Sequence, residues 1–97
     1  MKIKTQSGFE CNINERRLKD WRYVKAAAKI NSGNEEEVLN AVTFAVPFLL
    51  GEDGDEALTK YVEVDGVSDT ERVLAEFIEI TKAAGEKIKK SQSSSNS

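Results

Sequence analysis

Apolar and polar residues alternate through the first 13 positions of the chain. The apolar positions in this stretch are Ile3, Phe9, Cys11 and Ile13. A period of two is typical of strands that have one face in water, and Ser7-Gly8 supplies a turn between the two halves. The sequence therefore predicts a β-hairpin over residues 2–13. An isolated hairpin buries too little apolar surface to be stable, so we expect it to pack against helices.

Two helical patterns follow the hairpin. Asn14 is a candidate N-cap for a first helix over residues 15–30, and its apolar stripe includes Trp21, which we expect to be a core anchor. Asn34 is a candidate N-cap for a second helix over residues 35–50, whose first turn carries three glutamates at the positive end of the helix dipole. Pro47 predicts a kink or a stop near the end of this helix.

The second predicted helix is apolar on two flanks. One flank contains Val38, Leu39, Val42, Ala45, Val46 and Leu49, and the other contains Ala41, Phe44 and Phe48. Such a helix either occupies the centre of the fold or has one flank covered by a partner. The pattern alone leaves both alternatives open.

The remainder of the chain predicts two more helices and a polar tail. An acidic loop at 52–55 precedes a helix over 56–64, although residues 61–64 followed by an Asp65-Gly66 turn are also compatible with a strand. Ser68 and Glu71 have the spacing of a capping box that opens a fourth helix over 69–90. Residues 91–97 are serine, glutamine and asparagine only, which predicts disorder.

These elements amount to one α+β domain over residues 1–90, in which a two-stranded N-terminal hairpin packs against about four helices. No apolar run reaches the roughly 18 residues of a membrane span, and the N-terminus lacks a signal-peptide core. The single cysteine excludes an internal disulfide, which suits a reducing compartment. We therefore expect a cytoplasmic protein without a membrane partner.

Charge is distributed unevenly along the chain. Residues 1–30 contain eight lysines and arginines against three acidic residues, whereas residues 31–97 contain six against fourteen. The basic part either faces the acidic helices of the same domain or binds an acidic partner.

The sequence contains no recognisable catalytic or metal-binding constellation. Histidine is absent, which removes the commonest general base near neutral pH and the commonest metal ligand. The Gly-rich phosphate loops, paired-cysteine motifs and nucleophile elbows of common enzyme families are also missing. We expect no enzyme activity, no cofactor and no metal.

The order of elements resembles a known family. Residues 2–21 read Lys-Ile-Lys-Thr-x-Ser-Gly-Phe-Glu-Cys-Asn-Ile-Asn-Glu-x-x-Leu-x-Asp-Trp, and an apolar helix ending in Leu-Leu-Gly at 49–51, an Asp-Gly turn at 65–66 and a final amphipathic helix follow. This pattern is similar to that of the small tail assembly chaperones of long-tailed phages and prophages of Gram-positive bacteria. The likeness covers most of the chain and depends on the order and length of its elements.

The resemblance implies a non-enzymatic role in the host cytoplasm. Such chaperones bind the tape measure protein, keep it soluble while the tail tube assembles around it, and are usually absent from the finished virion. The tail tube protein is a second candidate partner, and self-association through the second helix is a further alternative.

Helical spacing nominates the residues that would contact such a partner. Phe44 and Phe48, with Ala41 between their turns, are the first candidates, and Tyr23 and Ile30, opposite Trp21 on the first helix, come next. Serine at both phenylalanines is then expected to abolish binding and to leave the fold intact. The competing hypothesis is a small phage or bacterial regulator that binds nucleic acid through the basic first helix, although the acidic net charge of −3 disfavours it.

Overall fold

Three α-helices, one 3-10 helix and two short antiparallel hairpins make up the part of the chain that the structure describes. The structure is a computed structural model that describes the backbone of residues 1–95 and the side chains of residues 1–89. In chain order the elements are β1 (Lys2–Lys4), β2 (Glu10–Asn12), a 3-10 helix (Glu15–Lys19), α1 (Trp21–Ser32), α2 (Glu35–Val62), β3 (Glu63–Val64), β4 (Val67–Ser68) and α3 (Thr70–Ser95). The predicted α+β class is confirmed, with three helices instead of four.

The N-terminal hairpin forms as its alternation predicts. Ile3 pairs with Cys11 in the β1–β2 register, and Gly8 takes a φ of 108° in the turn. Ile3, Phe9 and Ile13 are buried, and Cys11 is half-buried. The hairpin contacts α2 through β2 and α3 through β1, so its apolar face covers the core from one side.

The predicted first helix is two helices. Asn14 accepts a hydrogen bond from the backbone N–H of Arg16 and opens only the 3-10 helix, whereas Asp20 accepts from Arg22 and caps α1. Leu18 lies on the 3-10 helix, and the rest of the predicted apolar stripe, Trp21, Val24 and Ala28, lies on the solvent face of α1. Trp21 is 68% exposed, so its prediction as a core anchor was wrong, and Tyr23 and Ala26 face inward instead.

Helix α2 is the central element of the fold. It contacts α1, α3, β2, β4 and the 3-10 helix, and Asn34 caps it by accepting from the N–H of Glu37, as predicted. Helical geometry is interrupted at Gly51, with φ 80° and ψ 168°, one turn after Pro47. The predicted acidic loop at 52–55 is helical, and the predicted third helix is the second half of α2, which ends at Val62.

A second hairpin joins α2 to α3. Asp65 and Gly66 both have positive φ, so the strand alternative is confirmed for Glu63–Val64, and residues 61–62 remain helical. The predicted capping box does not form. Asp69 accepts from the N–H of Glu71, and the Ser68 hydroxyl donates instead to the carbonyl of Thr59. Helix α3 extends to Ser95, into the segment predicted to be disordered; the part of that prediction on residues 96–97 lies outside the described residues.

The core lies between the hairpin, the inner face of α2 and the first half of α3. Its largest fully buried side chains are Ile3, Leu58, Phe77 and Ile80. Beside it, Glu76 accepts hydrogen bonds from the hydroxyls of Thr5 and Ser7, each at 2.5 Å, and Tyr61 donates to the carbonyl of Ser7 at 2.7 Å. This polar cluster ties the turn of the first hairpin to both long helices.

Candidate functional site

The five residues nominated for partner binding do not share one surface. Ala41 and Tyr23 are buried, at 5% and 8% exposure, and pack in the core, although Ala41 also borders the groove described below. Ile30 is half-buried in a separate groove between α1 and α3. Phe44 is 38% exposed, and Phe48 beside it is half-buried. The nominated residues therefore form two separate groups, with Ala41, Phe44 and Phe48 on α2 and with Tyr23 and Ile30 at the groove between α1 and α3.

A groove of about 310 Å³ runs between α1 and the first half of α2, and Phe44 lines it. Helix α1 contributes three cations and one small residue, and α2 contributes polar residues around Ala41 and Phe44. The full lining is Arg22, Lys25, Ala26, Lys29, Glu37, Asn40, Ala41 and Phe44. Alanines at positions 26 and 41 leave an apolar floor between a cationic wall and a wall of mixed polarity.

The aromatic end of the groove is built from a stacked pair. The rings of Phe44 and Phe48 lie 5.0 Å apart between centroids at an interplanar angle of 23°. The guanidinium groups of Arg17 and Arg22 lie 5.0 and 5.3 Å from the Phe48 ring centroid, within cation–π range. Phe48 is therefore covered by its neighbours, whereas Phe44 keeps an accessible ring.

Arg17 also fixes the backbone at this end. Its Nη1 donates to the carbonyl of Phe48 at 2.6 Å. The helical partner of that carbonyl would be the N–H of Glu52, which lies just beyond the interruption at Gly51. The Arg17 side chain, which belongs to the 3-10 helix, thus binds a carbonyl at the end of the first segment of α2. This contact connects the 3-10 helix, and the start of α1 that follows it, to α2.

The cationic wall of the groove is formed by Arg22, Lys25 and Lys29 of α1. Asp20 makes a bidentate contact with Arg22, with oxygen–nitrogen distances of 3.1 and 3.0 Å, and these hydrogen bonds hold the pKa of the Asp20 carboxyl below its usual value. The ammonium of Lys25 lies 6.0 Å from the centroid of the exposed Trp21 ring. Trp21 is not part of the groove lining, but its ring lies beside the Lys25 ammonium and so marks the rim of the groove.

Phe44 and the basic character of the first helix were predicted from the sequence, but Trp21 was placed in the core and the cations were not identified as one wall of a groove. Arg22, Lys25 and Lys29 follow one another at spacings of three and four, which places them on one helix face. That signal was visible in the sequence. Its significance depended on which face of α1 packs against α2, and the sequence pattern alone does not specify that face.

Two titratable groups that are partly or fully buried, Cys11 and Tyr23, lie away from the groove. Burial raises the pKa of the Cys11 thiol and the pKa of the Tyr23 hydroxyl. Neither is joined by a set of metal-ligating side chains: within the described residues, no group of three or more acidic, cysteine or histidine residues is arranged to hold a metal ion. Among the described helices, none is long and apolar enough to cross a membrane.

Comparisons of the chain with family models, with curated proteins and with solved structures found no match.

Proposed function

We propose that this protein is a non-enzymatic tail assembly chaperone that binds the tape measure protein and keeps it soluble in the host cytoplasm while the tail tube assembles. The family resemblance of the sequence and one structural observation support this function: Phe44 leaves aromatic surface exposed in a groove beside the central helix, next to the cations that the exposed Trp21 ring adjoins. Tail tube protein is a second candidate partner in the same complex.

The groove suits helix-in-groove recognition. An amphipathic helix can lay its apolar face on the alanine floor and contact the Phe44 ring at one end. Tape measure proteins are long and largely helical, so each exposed helix offers such a face. Covering that face would prevent aggregation of the tape measure chain, which is the activity proposed.

The test is co-expression with the tape measure protein encoded in the same genome. We expect this chain to raise the soluble fraction of the tape measure protein and to co-purify with it. Phe44→Ser and Trp21→Ala should weaken both effects, whereas Val67→Ser, at a 64% exposed position in the second hairpin, serves as a matched surface control. Neither rescue nor a complex, with this chain folded and well expressed, would refute the proposal.

A second candidate function is nucleic-acid binding through α1, and one observation favours it. Trp21 is 68% exposed and lies beside Lys25 and Arg22, which is the combination of a stacking ring and cations that single strands use. An electrophoretic shift with single-stranded DNA that weakens steeply as salt increases would support this function. No shift at low salt would exclude it.

A further inference from the structure

The cations of the groove form a regular row. Arg22, Lys25 and Lys29 are spaced by three and four residues along α1, so they span about 10 Å, or two helical turns, of one groove wall. A helix lying along this wall would present side chains at the same spacing. Its residues at i, i+3 and i+7 would meet the three cations in turn.

Two of these three cations have no ion-pair partner in the described part of the chain. The ion pairs there are Lys2–Glu10 and Arg22–Asp20, and neither Lys25 nor Lys29 belongs to one. Glu37 is the single acidic residue of the groove lining. The wall therefore remains cationic in a chain whose net charge is −3, and it favours an anionic ligand.

The floor and the aromatic end require an apolar surface from the same ligand. Ala26 and Ala41 are small enough to let a neighbouring element approach closely, and the Phe44 ring closes one side. A ligand that satisfies both requirements has an apolar stripe with carboxylates along one edge.

Resting on the proposed function, we infer that the groove selects amphipathic helices whose apolar stripe is flanked by glutamate or aspartate at positions i, i+3 and i+7. The carboxylates pair with Lys25, with Lys29 and with Nη1 of Arg22, whose Nε and Nη2 are held by Asp20, and an apolar anchor of the stripe contacts Phe44. Segments of a client with lysine at those positions are rejected by the same row, because like charges along a shared edge repel.

The lining of the groove itself favours a helix over nucleic acid. The Phe44 and Phe48 rings stack on each other and Phe48 is additionally covered by two guanidinium groups, so within the groove a single ring face, that of Phe44, is left for a ligand. Glu37 on the facing wall would also repel a phosphate backbone that follows the groove.

The test uses two labelled helical peptides without tryptophan that share one leucine stripe and differ only in flanking glutamate or lysine. Fluorescence anisotropy with the full chain measures affinity, and the emission of Trp21, the only tryptophan, reports contact at the groove rim. We expect the glutamate peptide to bind about tenfold more tightly, since three exposed ion pairs of modest strength replace three repulsions. We expect higher salt to reduce this difference.

A charge reversal provides the decisive variant. Lys25→Glu together with Lys29→Glu should invert the preference toward the lysine peptide, and Lys25→Gln with Lys29→Gln should reduce it without inversion. Lys60→Glu with Lys89→Glu changes the net charge equally at exposed positions outside the groove lining and should leave the preference unchanged. Circular dichroism confirms that each variant is folded.

The outcomes separate this inference from the proposed function. Equal binding of both peptides, or a preference that the control pair shifts as strongly as the groove pair, overturns the inference even if co-expression rescues the tape measure protein. Tighter binding of a single-stranded oligonucleotide than of either peptide, lost on charge reversal in the groove, also overturns it. Inverted peptide preference without rescue of the tape measure protein supports the groove chemistry and refutes the chaperone role.

Discussion

Replacing Gly51 with alanine tests whether the interruption of α2 is required by the fold. Gly51 has φ 80° and ψ 168°, a region of backbone space that is essentially confined to glycine. An added Cβ at this position meets no atom within 4 Å. The substitution therefore perturbs the backbone conformation without a steric clash, so any loss of stability measures the strain alone.

A residue held in so sparsely populated a conformation costs about 1–3 kcal/mol, and this is the expected loss in the free energy of unfolding for Gly51→Ala. Gly85 provides the matched control. It lies inside α3, where an added Cβ also meets nothing within 4 Å, and alanine there should stabilise the helix by about 0.5–1 kcal/mol. The two variants should therefore differ by about 1.5–4 kcal/mol with opposite signs relative to the parent protein.

Urea unfolding followed by circular dichroism at 222 nm measures both free energies, and thermal melts give a second estimate. In a domain of this size, each kcal/mol corresponds to about 4–8 °C in Tm. The reasoning is refuted if Gly51→Ala is as stable as the parent or more stable. That result would mean that α2 can continue regularly through position 51 and that the interruption does not define the fold.

Three further predictions concern hydrogen bonding, pH and thiol chemistry. Glu76→Ala removes the acceptor of the Thr5 and Ser7 hydroxyls and should lower the free energy of unfolding in urea by about 1–3 kcal/mol. Glu79 lies one turn further along α3, and an equal loss of stability in Glu79→Ala would contradict this role. Because the pKa of the Asp20 carboxyl is lowered in the folded protein, its stabilising charge is fully present above the ordinary carboxyl pKa and is lost as pH falls through the folded value. The Tm difference between the parent protein and Asp20→Asn should therefore be constant near neutral pH and shrink below about pH 4. A Tm difference that is unchanged at pH 3 would argue against this role. Because burial raises the pKa of Cys11, its alkylation by iodoacetamide at pH 8 should be slower in the folded protein than in urea, and equal rates in both would show that the thiol is not protected.

The predictable parts of the fold are those in which local pattern and tertiary packing agree. The alternation around Ile3 and Phe9 specifies one buried hairpin face because a one-residue slip would expose the whole set. The inward positions of α3, including Phe77 and Ile80, follow from a helical repeat that is not interrupted between its cap and the core.

The first helix shows why the rest was not predictable from the sequence. Asn14 and Asp20 are both valid N-cap residues, and each is followed by residues that can form a helix. The cap rule does not say which of the two starts the long helix. Trp21 and Tyr23 lie on opposite faces of the helix wherever it begins, and tertiary packing turns the Tyr23 face toward the core, so the prediction reversed the environments of these two residues. The candidate site inherited this error, because Tyr23 was chosen as lying opposite Trp21.

Phe44 lines the groove, whereas Phe48, on which it stacks, supports the packing of the helices. This difference decides which substitution tests the binding surface. Phe48 is half-buried and lies beneath two arginines. Its carbonyl accepts a hydrogen bond from Arg17, which connects the 3-10 helix to the central helix. Serine at Phe48 would remove the ring that Arg17 packs on, so a loss of partner binding could come from a displaced α1. Phe44 lines the groove with an exposed ring and makes its aromatic contact only with Phe48. Phe44→Ser is therefore the substitution that separates recognition from folding, and the double substitution suggested by helical spacing alone would confuse the two.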